Sequence, residues 1–438
     1  MNVDQINRQL ENGNIEIAGL FPHLDELRES KYIFLPQIGL EALPLEPGLI
    51  AIRGARQYGK STWLEAALKR TVREFGAGSA FYLNGDEIES HQELTQSIRS
   101  IIALYRRDAT VRRLFIDEIT AIPEWEKSLK RLIDAGELRQ VLLVTTGSKA
   151  TDLRRGTERL PGRKGKLDRS SYLFLPISYQ EFSRVCGAEL GPKTLLSYLI
   201  SGGSPIACRE IAEKGRIPEY VVTLTRDWIL GEFASSGRSR ASVLKILELI
   251  HRFGGTPVGY SKLAREADLA NNTVASGYIE LLEDMLCLIP GFAWETSRKV
   301  SLLRKPCKFH FINLLVATVW SPSAIRTVAD FEALPEAEQG KWFEWLVAQE
   351  LWRREALASP EPPLSLDYWQ SQTQEIDFVL SKGKHLFEVK RGFTRASDFA
   401  ALTASFSRDS EINVVSQSTF QTDFINGVSF EDFMSGRA

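Results

Sequence analysis

Apolar and polar positions follow two different periods along this chain, and the changes between them predict its elements. Continuous apolar runs of strand length lie at 48–52, 79–83, 113–117 and 140–148. Segments with apolar residues at helical spacing separate them, for example over 63–69 and 92–105. Strands that alternate with helices are typical of a parallel sheet covered on both faces. The N-terminal part of the chain is therefore predicted to be an α/β domain.

The middle of the chain has a helical pattern. Apolar positions recur at helical spacing over 190–236, with an interruption by glycine and proline at 202–205. We interpret this stretch as a helical lid on the α/β domain. A further helix is predicted over 241–253, where apolar residues again recur at helical spacing.

Residues 260–303 have the layout of a winged helix. Two short helical segments are spaced as in a helix-turn-helix, and Asn271 is placed to cap the second one, 272–284. Wing strands are predicted at 286–289 and 299–303. The second helix contains three acidic residues and no Lys or Arg, which is unfavourable for DNA recognition. The wing is basic, so DNA contact and contact with another domain or subunit are both open interpretations.

From about residue 340 the pattern changes again. One helix with an apolar stripe is predicted over 341–351, and short strands are predicted at 366–369, 375–380 and 385–390. Helices and strands are mixed in this region, which predicts a separate C-terminal α/β domain.

Composition is that of an ordinary globular protein, with 438 residues, 43% hydrophobic and 25% charged. The length suggests about three domains. The net charge of −2 gives no overall bias toward nucleic acid, and no apolar run is long enough to predict a membrane span. The N-terminal residues are polar, so no signal peptide is expected. The four cysteines form no C-x-x-C pair, which favours reduced thiols and a cytoplasmic location.

The segment after the first strand fits G-x-x-x-x-G-K-[ST] without a gap. Its backbone N–H groups are expected to hold the phosphates of ATP, with Lys60 reaching the β- and γ-phosphates and Ser61 binding Mg²⁺. The alternative is a purely structural turn. The predicted nucleotide-binding residues of this loop are Gly54, Ala55, Arg56, Gln57, Tyr58, Gly59, Lys60, Ser61 and Thr62.

Two carboxylates end the strand at 113–117. We expect Asp117 to hold Mg²⁺ and Glu118 to orient and polarise the attacking water, although both residues are also good helix caps. The next strand ends in Thr146 and Ser148, at the edge of the sheet where ligands bind. Either side chain is predicted to sense the γ-phosphate.

Residues 149–169 are locally basic, with eight Lys or Arg and three acidic residues. Arg163 is the candidate to reach the γ-phosphate, either within one subunit or from a neighbour. A solvated loop and a contact with a phosphate backbone are the alternatives.

Alternation along the C-terminal strands places Glu375 and Asp377 on the same face of the first strand, and Glu388 and Lys390 on the same face of the next strand. A hairpin of these strands would bring Asp377, Glu388 and Lys390 together. Asp377 and Glu388 would then bind Mg²⁺ or Mn²⁺, and Lys390 would orient a water for phosphodiester cleavage. Glu344 on the preceding helix would complete the site. The alternative is that these charges lie on a solvated strand.

These motifs together resemble a prokaryotic family of AAA-like ATPases whose C-terminal domain of unknown function is related to restriction endonucleases. The resemblance rests on five segments: 54–62, 113–118, 146–148, 160–163 and 173–182. In the C-terminal half it continues through E-I-D-F at 375–378 and E-V-K-R-G at 388–392. It implies a P-loop core, a winged helix after the lid, and a restriction-endonuclease-like fold at the C-terminus.

We therefore predict an α/β protein with an AAA-like P-loop ATPase core, a helical lid, a winged-helix module and a restriction-endonuclease-like domain. The predicted boundaries are 1–185 for the core, 186–240 for the lid, 241–305 for the winged helix, 306–339 for a linker and 340–438 for the last domain. The predicted function is ATP-driven DNA processing that gates a metal-dependent nuclease. The alternative is a signalling ATPase whose C-terminal domain binds nucleic acid or a protein without cutting. A homo-oligomer is a further expectation.

Overall fold

The computed structural model describes residues 1–148, 153, 156, 158–160, 162, 165–359, 361–406 and 410–437. The chain divides into two compact units, Met1–Leu175 and Pro176–Ala438. Within the described residues, every helix is too short or too polar to cross a lipid bilayer.

The first unit contains one sheet of five strands in the order β2-β3-β4-β1-β5, and every neighbouring pair is parallel. Its strands are β1 (Gly48–Gly54), β2 (Ala80–Asn84), β3 (Arg113–Asp117), β4 (Leu142–Gly147) and β5 (Ser171–Phe174). Nearly all side chains of β1, β3 and β4 are buried. This burial explains why these strands are continuous apolar runs in the sequence.

Helices cover the sheet of the first unit. Their bounds are Val3–Asn12, Pro22–Glu29, Lys60–Phe75, His91–Leu104 and Trp125–Asp134, with single 3₁₀ turns at Gly85–Glu87 and Ile119–Ala121. The side chain of Ser90 accepts a hydrogen bond from the N–H of Glu93 and fixes the start of the fourth helix. The predicted strand and helix pattern of this unit is present in the structure.

The first part of the second unit is helical, as predicted. Its helices are Tyr179–Leu190, Thr194–Ser201, Pro205–Lys214, Glu219–Ser235, Arg240–Arg252, Tyr260–Glu266 and Asn272–Asp284, with a 3₁₀ turn at Gly191–Lys193. The helix Thr194–Ser201 ends at Gly202, whose positive φ of 62° suits a residue without a side chain. Asn271 caps the second helix of the helix-turn-helix by accepting from the N–H of Val274.

The strands after this helix pair do not form the predicted wing. β6 (Leu288–Gly291) pairs with β9 (Lys308–Phe311), whereas β7 (Ala293–Glu295) pairs with β8 (Val300–Leu302). β7 also pairs with a strand of the C-terminal sheet. The segments 286–289 and 299–303 are therefore not partners of each other. The prediction failed because β9 contains a buried lysine and histidine, which made a buried strand look polar.

The predicted linker 306–339 is also folded. It contributes β9 and the helices Leu314–Trp320 and Val328–Glu332. All the residues of Leu314–Val319 are buried, so this segment is part of a core and is not a connection between domains.

The C-terminal sheet has eight strands in the order β14-β15-β13-β12-β11-β10-β7-β8. Its remaining strands are β10 (Asp367–Gln370), β11 (Glu375–Leu380), β12 (His385–Val389), β13 (Glu411–Ser416), β14 (Phe420–Gln421) and β15 (Ile425–Ser429). The helices of this region are Glu336–Ala358, Phe430–Met434 and the 3₁₀ segment Ala396–Ala404. Ile376, Leu386, Ile412 and Val414 form a buried apolar cluster. β11 and β12 form the predicted antiparallel hairpin.

Candidate functional site

The loop between β1 and the helix Lys60–Phe75 depends on glycine at two places. A side-chain carbon at Gly54 would lie 2.6 Å from both the Cβ and the carbonyl oxygen of Phe174. Gly59 has a φ of 97°, which other residues rarely adopt. The helix begins directly after Gly59, and no side chain caps its first N–H groups. These N–H groups point to the carboxyl edge of the sheet and can bind an anion.

Lys60 lies folded back over this loop. Its Nζ donates hydrogen bonds to the carbonyl oxygens of Gly54 (3.0 Å) and Ala55 (2.8 Å). Burial lowers the pKa of Lys60 to about 8, although the charges of Glu118 and Asp117 oppose this shift. In the proposed ATP complex, phosphate oxygens would replace the two carbonyl oxygens as partners of the ammonium group.

Asp117 and Thr146 meet at the ends of neighbouring strands. Thr146 donates a short hydrogen bond from its hydroxyl to Oδ1 of Asp117. The N–H of Glu118 is shared between Asp117 Oδ1 (3.2 Å) and Thr146 Oγ1 (3.0 Å). The structure thus places the predicted sensor Thr146 directly beside the predicted metal ligand.

Glu118 is held by the next strand and the following turn. Its Oε1 accepts hydrogen bonds from the hydroxyl of Thr120 (2.6 Å) and from both the N–H and the hydroxyl of Ser148 (2.8 Å each). Burial alone would raise the pKa of Glu118, but these hydrogen bonds lower it below its usual value. Its φ of 47° is unusual for a residue with a side chain. Glu118 is therefore an ionised carboxylate in a fixed position.

The donor set at this edge fits a magnesium ion, because Asp117 and Ser61 supply hard oxygen atoms. A third carboxylate, Asp86, lies in the 3₁₀ turn after β2. Burial and the charges of Glu118 and Asp117 raise the pKa of Asp86. Neither Asp86 nor Thr120 belongs to a sequence motif, so their place at this site is visible only in the structure. The residue before Asp86 is Gly85, and a side-chain carbon on Gly85 would lie 2.2 Å from the carbonyl oxygen of Glu118.

A second contact missed by the sequence analysis joins the N-terminal segment to the helix after the loop. His23 Nδ1 lies 2.7 Å from Oε1 of Glu65, and the N–H of Leu24 donates to Oε2 of Glu65 at 3.1 Å. Glu65 lies one helical turn after Ser61. The hydrogen bond to Glu65 raises the pKa of His23, although burial opposes the shift, and Asp117 adds to it from a distance.

Arg163, the predicted arginine of the nucleotide site, lies outside the described residues, as do Lys149, Arg154, Arg155 and Lys164 of the same basic segment.

The C-terminal hairpin brings its predicted site residues together. Oδ2 of Asp377 on β11 accepts a hydrogen bond from the N–H of Val389 at 3.0 Å. Lys390 Nζ lies 2.5 Å from Oε1 of Glu388. Oε2 of Glu388 is buried and has no hydrogen-bond partner among the described residues. Burial and the nearby charge of Asp377 raise the pKa of Glu388. Glu375, at the start of β11, is only partly buried.

A lysine outside every predicted motif lies at the centre of this cluster. Nζ of Lys308, on β9, lies 2.7 Å from Oδ1 of Asp377 and 3.3 Å from Oε1 of Glu344. His310 Nδ1 is 3.6 Å from the same Glu344 oxygen. Burial raises the pKa of Glu344 to about 7, and Lys308 opposes this shift. For Asp377, burial is outweighed by Lys308, which keeps its pKa below the usual value.

These residues do not fit a divalent metal ion as they stand. Each of the three buried carboxylates already contacts an ammonium group: Lys308 for Glu344 and Asp377, and Lys390 for Glu388. Within the described residues, no group of three or more His, Cys, Asp and Glu side chains is arranged to hold a metal.

A positively charged side chain from another part of the chain, Arg238, packs against the helix Asn272–Asp284. The guanidinium of Arg238 lies over the ring of Tyr278, 5.0 Å from its centroid. A side-chain carbon at Gly277 would come within 2.8 Å of the same guanidinium, so glycine leaves room for it. The sequence showed this helix as acidic, because Arg238 is distant along the chain.

Comparisons with known proteins support the first unit as an ATPase core. Residues 46–183 match the family model described as an AAA domain, and residues 339–429 match a domain of unknown function, DUF4143. No curated protein matches the chain. The five-stranded parallel sheet and the loop 54–62 lie within the segment that matches the AAA domain, in an α/β fold, which supports an AAA-like ATPase core. The second match has no known function, and it does not identify a restriction-endonuclease-like fold.

The chain also aligns with solved structures, each at a TM-score below 0.5. The Walker-type ATPase PABY2304 of Pyrococcus abyssi aligns with a TM-score of 0.42 and 14% identity over 73% of this chain and 95% of that one. The ORC1 protein of Aeropyrum pernix, solved in complex with DNA, gives a TM-score of 0.32 and 15% identity over 74% and 92%. The ORC2 protein of Aeropyrum pernix gives a TM-score of 0.35 and 13% identity over 68% of this chain and 91% of that one.

Proposed function

We propose that this protein binds and hydrolyses ATP in its first unit. The observation that carries the proposal is the position of Lys60, Asp117 and Glu118 at one edge of the parallel sheet, next to the loop 54–62. Lys60 follows the carboxyl end of β1, and Asp117 and Glu118 stand at the carboxyl end of β3 in the same parallel sheet. All three residue types are needed for phosphoryl transfer from ATP to water.

Each group has a separate role in this proposal. The N–H groups of the loop and of the first helical turn hold the phosphates, and Lys60 contacts the β- and γ-phosphates. Ser61 and Asp117 would hold Mg²⁺, which neutralises charge on the phosphates. Glu118 orients the attacking water and accepts its proton. Thr146 and Ser148 report the state of the γ-phosphate by way of Asp117 and Glu118, to which they are hydrogen-bonded. Arg163 would supply positive charge to the transition state, from the same or a neighbouring subunit.

For the C-terminal domain, we propose binding of nucleic acid or of a protein partner without cleavage. The ATPase would then act as a switch that a ligand of this domain resets. This function is favoured because Glu344, Asp377 and Glu388 are each paired with a lysine. Nucleic acid, most simply DNA, is the first partner to test, since Arg238 adds positive charge to the second helix of the helix-turn-helix and the segments that flank β8 are basic.

A metal-dependent nuclease gated by ATP is the second candidate. It is favoured by the convergence of Asp377, Glu388 and Lys390, and by Oε2 of Glu388, which is buried without a hydrogen-bond partner among the described residues. Mg²⁺ or Mn²⁺ at this site would require the displacement of at least one lysine.

One set of assays separates these candidates. ATP turnover is measured alone and with single-stranded DNA, duplex DNA or RNA, and the same nucleic acids are analysed for cleavage with Mg²⁺ or Mn²⁺. Turnover that nucleic acid stimulates without cleavage supports the non-cleaving switch. Cleavage that is lost in Asp377→Ala establishes the nuclease instead. Turnover that no nucleic acid changes would direct attention to protein partners, including a second copy of this chain.

A further inference from the structure

Lys308 occupies an unusual position for a lysine. Its side chain is 1% exposed, on a strand whose four residues are all buried. Lysine is almost never fully buried unless it is paired, because removal of an ammonium group from water is costly. The partners of Lys308 come from two other elements: Glu344 from the helix Glu336–Ala358 and Asp377 from β11.

Of these two partners, Asp377 is one of the two carboxylates predicted to bind the metal ion, and Glu344 is the one predicted to complete its site. A divalent ion such as Mg²⁺ needs oxygen ligands at roughly 2.1 Å and repels a nearby ammonium group. The Nζ of Lys308 already lies between Oδ1 of Asp377 and Oε1 of Glu344, at 2.7 Å and 3.3 Å. The other oxygen of Asp377 accepts a hydrogen bond from Val389, so both of its oxygens are engaged.

The remaining buried carboxylate of the cluster, Glu388, also contacts a lysine, although only one of its two oxygens does so, and its Oε2 has no hydrogen-bond partner among the described residues. Oε1 of Glu388 lies 2.5 Å from Nζ of Lys390, whose side chain is 42% exposed. Lys390 is thus a cation at the edge of the cluster, and Lys308 is the cation at its centre. The protein supplies two positive charges of its own to this group of carboxylates.

We propose that the ammonium group of Lys308 takes the place of a divalent metal ion in the C-terminal domain. In this arrangement Lys308 stabilises the packing of β9 against the helix Glu336–Ala358 and against β11, through its ion pairs with Glu344 and Asp377. Metal-assisted activation of water has no place in the cluster while Lys308 is present. Replacement of Lys308 by an apolar residue would leave oxygen ligands that are free to bind a metal.

The test is a titration of the full chain with MnCl₂, without nucleotide, followed by electron paramagnetic resonance of free Mn²⁺. The wild-type protein and Asp377→Asn should bind the same amount of Mn²⁺, because Asp377 holds no metal ion while Lys308 is present. Lys308→Met should gain one Mn²⁺, and the double variant Lys308→Met with Asp377→Asn should lose it again. Lys305→Met, a change at an exposed lysine of the same segment, should behave as the wild type.

A thermal melt gives a second readout. Millimolar MnCl₂ should raise the melting temperature of Lys308→Met by at least about 3 °C and leave that of the wild type unchanged. Two results would overturn the proposal. One is Mn²⁺ binding by the wild type that disappears in Asp377→Asn, and this result is informative even if Lys308→Met does not fold. The other is a folded Lys308→Met that binds no more Mn²⁺ than the wild type.

Discussion

The carboxylate of Glu118 accepts two hydrogen bonds from Ser148, one from its N–H and one from its hydroxyl, each at 2.8 Å. This contact joins the end of β3 to the end of β4. It fixes the position of the carboxylate that activates water in the proposed reaction.

Replacement of Ser148 by alanine removes the hydroxyl donor and keeps the N–H donor. We expect Ser148→Ala to raise basal ATP turnover roughly 3- to 10-fold. Without the hydroxyl of Ser148, Glu118 accepts one hydrogen bond fewer, so its carboxylate can move more easily toward the attacking water. The KM for ATP should change little. Phosphate-release kinetics check this result. A fall in turnover would show that Ser148 orients Glu118 for the reaction and does not restrain it.

Binding of ATP should weaken as the pH rises above 8. Burial lowers the pKa of Lys60 to about 8, so the free protein loses the positive charge of Lys60 above this pH, well below the pH at which an ordinary lysine does. The apparent Kd for ATP, measured by calorimetry between pH 7 and pH 9.5, should therefore increase. Lys60→Arg should flatten this dependence, since arginine stays charged. An equally steep dependence in Lys60→Arg would assign the effect to another group.

Replacement of the glycine at position 54 should destabilise the first unit. Gly54→Ala brings a carbon atom within 2.6 Å of the carbonyl oxygen of Phe174. This oxygen belongs to the backbone, so it cannot easily move away. We expect a loss of about 1–3 kcal/mol in stability, measured by chemical unfolding. Gly231→Ala is the matched control: it lies in a helix with open space around it and should stabilise by about 0.5–1 kcal/mol. Equal effects of the two changes would contradict the close packing at Gly54.

The pair of His23 and Glu65 should stabilise the protein in a pH-dependent way. The pKa of His23 is raised above the ordinary histidine value of 6.5 by Glu65, with smaller contributions from Asp117 and Glu26. A raised histidine pKa means that the stabilisation is complete below pH 6.5 and is lost as the pH rises through the higher value in the folded state. His23→Gln should therefore lower the melting temperature more at pH 5.5 than at pH 8.5.

Arg28→Gln is the control for this prediction, because Arg28 forms an exposed ion pair with Asp25 on the same helix. It should change the melting temperature little at either pH. An effect of His23→Gln that is the same at both pH values would show that protonation of His23 is not involved.

The sequence predicted the parts of this structure that depend on local pattern. The strands β1 to β4 of the first unit were visible as apolar runs because their side chains are largely buried, whereas β5 was not predicted. Asn271 was recognised as a cap because capping depends on neighbouring residues. The β11–β12 hairpin and its charged residues followed from alternation along the two strands.

The parts that the sequence did not predict depend on contacts between distant residues. Lys308 is separated from Glu344 by 36 positions and from Asp377 by 69. Its strand alternates Lys and His with Phe, a pattern that indicates one exposed face, yet all four residues are buried. His23 and Glu65 are 42 positions apart. Burial of charge by distant partners is a tertiary property, and no local pattern records it.

ATP hydrolysis and ATP binding, measured together on Glu118→Gln, test the central claim most directly. The change keeps the size of the side chain and removes its charge. We expect kcat to fall at least about 100-fold, with ATP affinity retained, because Glu118 acts on the water and not on the bound phosphates. Glu124→Gln, at an exposed glutamate nearby, should hydrolyse ATP as the wild type does. A Glu118→Gln protein with wild-type turnover, or a wild-type protein that binds no ATP, would contradict the account.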